Sequence, residues 1–256
     1  ALDTTLERWL ARPATSKGWA ELQRKTPLDD DDLHALADAP PDVLAKADRL
    51  IGRKRPRWLM GWRDICRSTD ERTVITTVFP LVAAGHKLPL FHGREPASLM
   101  ACCLAMWISM PFDYCARQKI GATSLTYMYL KQFPCLSPAC FSRKDVEYIR
   151  RHVLELSYTS HAMGPWAEDL GYQGPPFGWD PVRRAQLRAE LDGFFARKYG
   201  LTRDELRYVL DPADVHGPDY PSETFRGLRD KEMAELGEYR TRRLVLEAYD
   251  SLEWVR

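Results

Sequence analysis

Six basic side chains fall in two short stretches where Arg and Lys sit among hydroxyl and aromatic residues. Arg63, Arg67 and Arg72 lie between Trp58 and Thr73; Arg117, Lys119 and Lys131 lie between Phe112 and Pro134, beside the hydroxyls of Thr123 and Ser124. A guanidinium is a planar fork that donates two parallel hydrogen bonds, a match for phosphate oxygens and for the edge of guanine. The chemistry expected of such a set is recognition of a polyanion such as DNA, through phosphate and some base-edge contacts, rather than bond making. Asp64 and Glu71 are expected to support it by orienting the arginines or by accepting from a cytosine amine. The same side chains could instead form solvated charges and structural ion pairs. On residues alone the reading therefore stops at a nucleic-acid-binding module.

Catalytic motifs do not compete with this. The sequence has no GxGxxG, no GxxxxGK[ST], no GxSxG and no HExxH, so neither a dinucleotide fold, a phosphate loop, a nucleophile elbow nor a zinc helix is expected. The six histidines (34, 86, 92, 152, 161 and 216) are scattered, without the ligand spacing of a zinc site. Asp64, Asp70 and Glu71 could hold a divalent ion as a nuclease does. In a strand, however, adjacent Asp70 and Glu71 would point to opposite faces. No catalytic residue and no metal ligand is assigned.

Composition sets the frame. With 256 residues, 45% apolar and 29% charged, the chain belongs with globular proteins able to bury a core. Its net charge of +1 conceals four consecutive aspartates at 29–32 and a basic stretch, 53–72, with seven Arg or Lys against three acids. A basic segment in a neutral whole points to a local anionic partner. The six cysteines form no CxxC pair and read as reduced, mostly buried thiols of a cytosolic protein. The most apolar run, about fourteen residues near 97–110, is too short for a bilayer, so a soluble cytoplasmic chain is expected.

The elements that must position the basic residues follow from periodicity and punctuation. Residues 1–56 read as a weakly anchored helical segment broken at Pro40-Pro41. Two strands are expected over 57–66 and 72–79, around a polar turn, with Pro80 stopping the second. A buried helix is expected over 99–109, then a further helical turn from Pro111 to Arg117, a break at Gly121, and a strand over 123–133 ended by Pro134. Beyond this the periodicity is helical. Val146, Ile149, Val153 and Leu156 form one face, and a loop, GYQGPPFGWDP, spans 171–181. Asp180-Pro181 starts a helix that Gly200 closes, Thr202 and Glu205 have capping-box spacing, and two helices fill 222–253 around Gly237. The fold class is α+β: a mixed target-recognition-type module over 57–140, then a helical C-terminal subdomain over 141–256.

These same stretches resemble a known family. RDICRSTDERTVITTVFP (63–80) is similar to an R-D-I-x-x-x-T-N-E-R-T segment in the C-terminal half of large single-chain adenine-specific DNA methyltransferases of restriction-modification and phage-defence systems (type IIG-like, BREX-like and DISARM-like). FDYCARQKIGATSLTYMYLKQFPCLSP (112–138) resembles their F-D-Y-x-A-R-Q-K-x-G-G-T segment, and further matches cover 166–211 and 237–250. The likeness runs in consistent order over most of 57–252. Departures are Asp70 for the usual Asn, Ala122 for a second Gly, and Tyr127-Met128-Tyr129 for a Phe-rich run.

The resemblance implies a target-recognition region that binds double-stranded DNA, with the six cations, Thr123 and Ser124 as its contacts. It lacks the glycine-rich cofactor loop and the Asn-Pro-Pro-[Tyr/Phe] motif that grips a flipped adenine. S-adenosylmethionine would therefore belong to a catalytic part or partner, and the chain would be either a piece of that enzyme or a separate specificity subunit. Two alternatives stay open: a protein-interaction subunit of a defence complex, and a metal-dependent nuclease using Asp64 and Glu71.

Overall fold

The computed structural model describes residues 56–67, 69–93, 95–121, 123–221 and 224–255; the helical segment expected before residue 56 and the four aspartates at 29–32 lie outside them. Three antiparallel strands form one sheet in the order β2–β1–β3, with β1 at Trp58–Trp62, β2 at Thr76–Pro80 and β3 at Leu90–Phe91. The register sets Trp58 opposite Pro80 and Trp62 opposite Thr76. Gly61 admits the chain entering β3: a Cβ there would stand 2.6 Å from the Pro89 carbonyl oxygen, the close approach for which a strand uses glycine. The Trp62 indole, fully buried, donates to the Leu125 carbonyl at 2.7 Å.

Ten helices follow the sheet among the described residues: α1 Ala97–Ile108, α2 Met110–Lys119, α3 Tyr127–Leu130, α4 Arg143–Ser157, α5 Gly164–Asp169, α6 Pro181–Lys198, α7 Arg203–Leu210, α8 Ala213–His216, α9 Arg226–Leu236 and α10 Arg240–Ser251. The fold is α+β. Local chemistry sets most helix ends. The Asp180 carboxylate accepts from the Val182 and Arg183 amides with Pro181 at the first helical position, and Thr202 with Glu205 closes a capping box. Gly200 and Gly237 end α6 and α9 at φ +74°, a conformation that costs a side chain dearly.

Residues 57–256 form one compact unit. One apolar cluster runs from Met60 through Trp107 and Phe112 to Trp166, Phe194 and Val255. Both sides of residue 140 thus share a core, and no break in packing falls where the sequence suggested a boundary. Helix α1 is apolar nearly all round and largely buried, as a central helix must be.

Several local expectations shift. The second strand begins at Thr76 rather than 72, because residues 73 and 74 bond a carboxylate instead of a neighbouring strand, and Pro80 is the last residue of β2. The strand expected over 123–133 is not formed. Ser124 makes a single bridge to Ile65, and Tyr127–Leu130 is helical. Leu125, Leu130 and Phe133 are buried while Tyr127 and Met128 are exposed, a spacing that alternation does not produce. The thiols are free, with Cys66 and Cys102 buried, Cys103 and Cys115 half-buried, and Cys135 and Cys140 exposed. Burial pushes the Cys102 and Cys103 thiols up to about 12. No single helix among the described residues is long and apolar enough to cross a membrane.

The tightest helix contact is between α6 and α10, where a Cβ on Gly193 would meet the Tyr249 backbone nitrogen at 2.8 Å. Gly193→Ala should therefore lower stability by about 1–3 kcal/mol, read as a lower midpoint in urea unfolding. Helices α4 and α6 are also joined by polar contacts. Both His152 ring nitrogens face acceptors, Nδ1 the Tyr148 carbonyl at 2.7 Å and Nε2 the Glu190 carboxylate at 2.6 Å. The His152 contact, aided by Gln186 and outweighing burial, holds Glu190 below its ordinary value of 4.5. A depressed carboxylate contributes stability above its unfolded value and loses it as pH falls through the folded one. Melting temperatures taken from about pH 5 to pH 3 should fall less steeply for Glu190→Gln than for the parent chain.

Candidate nucleic-acid interface

The two basic stretches lie side by side. Ile65 and Ser124 form an antiparallel bridge, the Cys66 amide donates to the Thr123 carbonyl at 3.1 Å, and the Leu125 amide donates to the Asp64 carbonyl at 2.7 Å.

A buried ion pair holds the turn between β1 and β2. The Asp113 carboxylate, on α2, accepts from the Thr73 amide at 2.9 Å, the Val74 amide at 2.5 Å and Arg117 Nε at 2.9 Å. Arg117 carries the contact onward, donating through Nη2 to the Asp70 carbonyl at 2.7 Å and through Nη1 to the Thr224 carbonyl at 2.6 Å. Its guanidinium also stands over the Phe225 ring, 4.5 Å from the centroid. Within the turn, the Thr73 hydroxyl and the Asp70 amide both donate to the Arg67 carbonyl. Helix α9 presses on the outside: a Cβ on Gly227 would lie 2.8 Å from the Thr69 carbonyl oxygen.

A second pair lies alongside. Arg72 Nη2 donates to Asp192 of α6 at 2.9 Å, and the other Asp192 oxygen accepts from the amide of Met110, the first residue of α2. Burial raises the Asp192 pKa, while Arg72 and the Met110 amide pull the other way. Arg72 and Arg117 thus fasten the turn to the helices. The groove contact expected of Arg117 is not open to it, because its side chain is 3% exposed.

The other expected site residues are distributed differently. Arg63 is exposed and pairs with Asp70 at 2.8 Å. Lys119 is exposed and reaches Gln132 at 3.4 Å. Arg67 and Lys131 are exposed with no ion pair to a described residue, Thr123 is exposed, and Ser124 is half-buried. Asp64 receives Lys87 at 3.0 Å and Glu71 receives Lys231 at 2.8 Å. Among the described residues no three His, Cys, Asp or Glu side chains gather as a metal site would require, so the Asp64/Glu71 nuclease arrangement has no third ligand.

Next to the turn, β2, α1, α4 and α6 enclose a cleft of about 580 Å³. Arg63 and Arg72 reach it, as expected residues; Thr76, Arg184 and Arg188 reach it unexpectedly. Arg184 donates to the Leu156 carbonyl at 2.9 Å and stacks on Trp179 with 3.8 Å to the ring centroid. Arg188 makes no ion pair with a described residue. Although exposed, it sits against enough protein that desolvation, then repulsion from Arg72, lowers its pKa. The spacing of Arg184 and Arg188, one helical turn apart on the face that carries Leu191, was a signal available in the sequence.

No protein-family model matches the chain, and no curated protein or solved structure is found to be similar to it.

The division between fastening and exposed arginines can be measured. Asp113→Ala leaves a guanidinium and two backbone amides buried without their carboxylate and should cost about 3–5 kcal/mol in chemical unfolding. Arg67→Ala, at an exposed site, should change it by less than about 0.5 kcal/mol.

Proposed function

We propose that this chain is the DNA-reading, target-recognition portion of an adenine-specific DNA methyltransferase of a restriction-modification or phage-defence system. In this reading methyl transfer from S-adenosylmethionine belongs to a catalytic domain or partner subunit, and the setting is cytoplasmic. The observation that carries it is the bridge between Ile65 and Ser124, which brings together the two stretches on which the family resemblance rests. Around that junction Arg63, Arg67, Lys119 and Lys131 remain exposed, able to meet phosphates, and the Thr123 hydroxyl is exposed beside them. Arg72 and Arg117 enter the reading as supports: they fix the turn, and the turn carries Arg63 and Arg67. A turn held by buried charges loses little freedom on binding, which favours a defined register on the duplex.

Fluorescence anisotropy with labelled duplex DNA tests the reading. Binding should weaken as salt rises, and Arg67→Ala and Lys131→Ala should each reduce the slope of log affinity against log salt by about one. No binding at low salt, or binding indifferent to salt, would remove DNA as the partner.

A further inference from the structure

The cleft beside the turn has more unsatisfied donors than its own acceptors can use. Thr76 is 8% exposed and its hydroxyl has no hydrogen-bond partner; Arg72 Nη1 and Arg184 Nε are likewise buried without one. Buried donors without partners are rare in a native protein and call for an explanation, because each costs about 1–3 kcal/mol of desolvation. Thr76 and these two arginines all line the same cleft, with Arg188 exposed beside them. Carboxylates are present, but each is engaged: Asp70 by Arg63, Glu71 by Lys231 and Asp192 by Arg72. That leaves Arg184 and Arg188 without a carboxylate among the described residues.

Most of the remaining lining is aliphatic. Val74, Leu104, Ile108, Val153, Leu156 and Leu191 contribute to it, and no aromatic ring does. A volume of about 580 Å³ falls within the range of small-molecule sites and far exceeds what one phosphate ion would fill. A planar base would find no ring to stack on, whereas an alkyl body would remove aliphatic surface from water.

From these observations we infer that the cleft binds a small phosphate ester with an aliphatic body, its phosphate oxygens taking Arg188 and, once the side chains turn toward the cleft, the donors of Arg72, Thr76 and Arg184, and its hydrocarbon lying on the aliphatic lining. Four donor-bearing side chains suit a phosphate monoester, which offers three terminal oxygens, better than a carboxylate with two. The site shares only Arg63 with the exposed cations assigned to DNA, and Arg63 is not among its donors, so the inference does not depend on that assignment.

Isothermal titration calorimetry of the full chain with hexyl phosphate, octyl phosphate, inorganic phosphate and adenosine monophosphate tests the inference. Octyl phosphate should bind tighter than hexyl phosphate by about fourfold for each added methylene that is buried, and inorganic phosphate should bind far more weakly than either. Arg188→Ala and the near-isosteric Thr76→Val should each weaken octyl phosphate by about tenfold, while Thr76→Val leaves the affinity for duplex DNA unchanged and the melting temperature no lower than that of the parent chain. Equal affinity for inorganic and octyl phosphate, tighter binding of adenosine monophosphate than of octyl phosphate, no binding by any of the four, or indifference to both substitutions would each overturn it. Co-sedimentation with phosphatidate vesicles then separates sources: a pelleted chain assigns the ester to a membrane lipid, and a chain left in solution assigns it to a free metabolite.

Discussion

The buried pair of Asp113 and Arg117 is the constraint on which the rest of the molecule depends. One carboxylate receives two backbone amides and a guanidinium, and that guanidinium reaches two further carbonyls, at Asp70 and Thr224. Five groups from three parts of the chain, the turn, α2 and Thr224, are thereby fixed. An isolated ion pair taken from water gains little, since desolvation offsets the attraction. Here the remaining hydrogen-bonding capacity of both ions is largely used, the condition under which burial becomes tolerable. The direct consequence is a turn of defined shape between β1 and β2, reinforced by Arg72 and Asp192, which tie it to α6 and to the first turn of α2.

This places the family likeness in a different light. Thr73 in one quoted block meets Asp113 and Arg117 of the other in the interior, with Arg72 fastened to Asp192 alongside. What those blocks specify first is a way of bracing a turn against a helix. On the proposed reading, residues that would distinguish one DNA site from another are better sought among exposed positions of the same stretches, such as Arg63, Arg67, Tyr127 and Met128.

How much was legible in the sequence follows from the range of the forces involved. The helix starts at Asp180 and Thr202 and the stops at Gly200 and Gly237 were readable because a cap bonds within three or four residues of itself. The buried helix from 99 was readable from its composition. The stretch from Thr123 to Phe133 was not, since alternation along the chain suggested a strand while the Trp62 indole, some sixty residues away, takes the Leu125 carbonyl that a strand would need. The fate of the arginines was equally opaque. Asp113 stands one helical turn before Arg117, but only the arrival of the turn at Asp70 and of Thr224 makes that pair a buried fastener while Arg67 stays in water. The cleft was hidden for the same reason, because its walls come from residues 63 to 192.

The reach of the Arg117 side chain has one more consequence, for the order in which the molecule can be completed. Its acceptor at Thr224 lies 107 residues further along the chain. During ribosomal synthesis that interval lasts roughly 5 to 20 seconds, throughout which the guanidinium lacks the Thr224 carbonyl and the turn is braced from one side only. The sheet and the first two helices must wait, wet and incompletely locked, for the stretch around Thr224 to emerge and seal them.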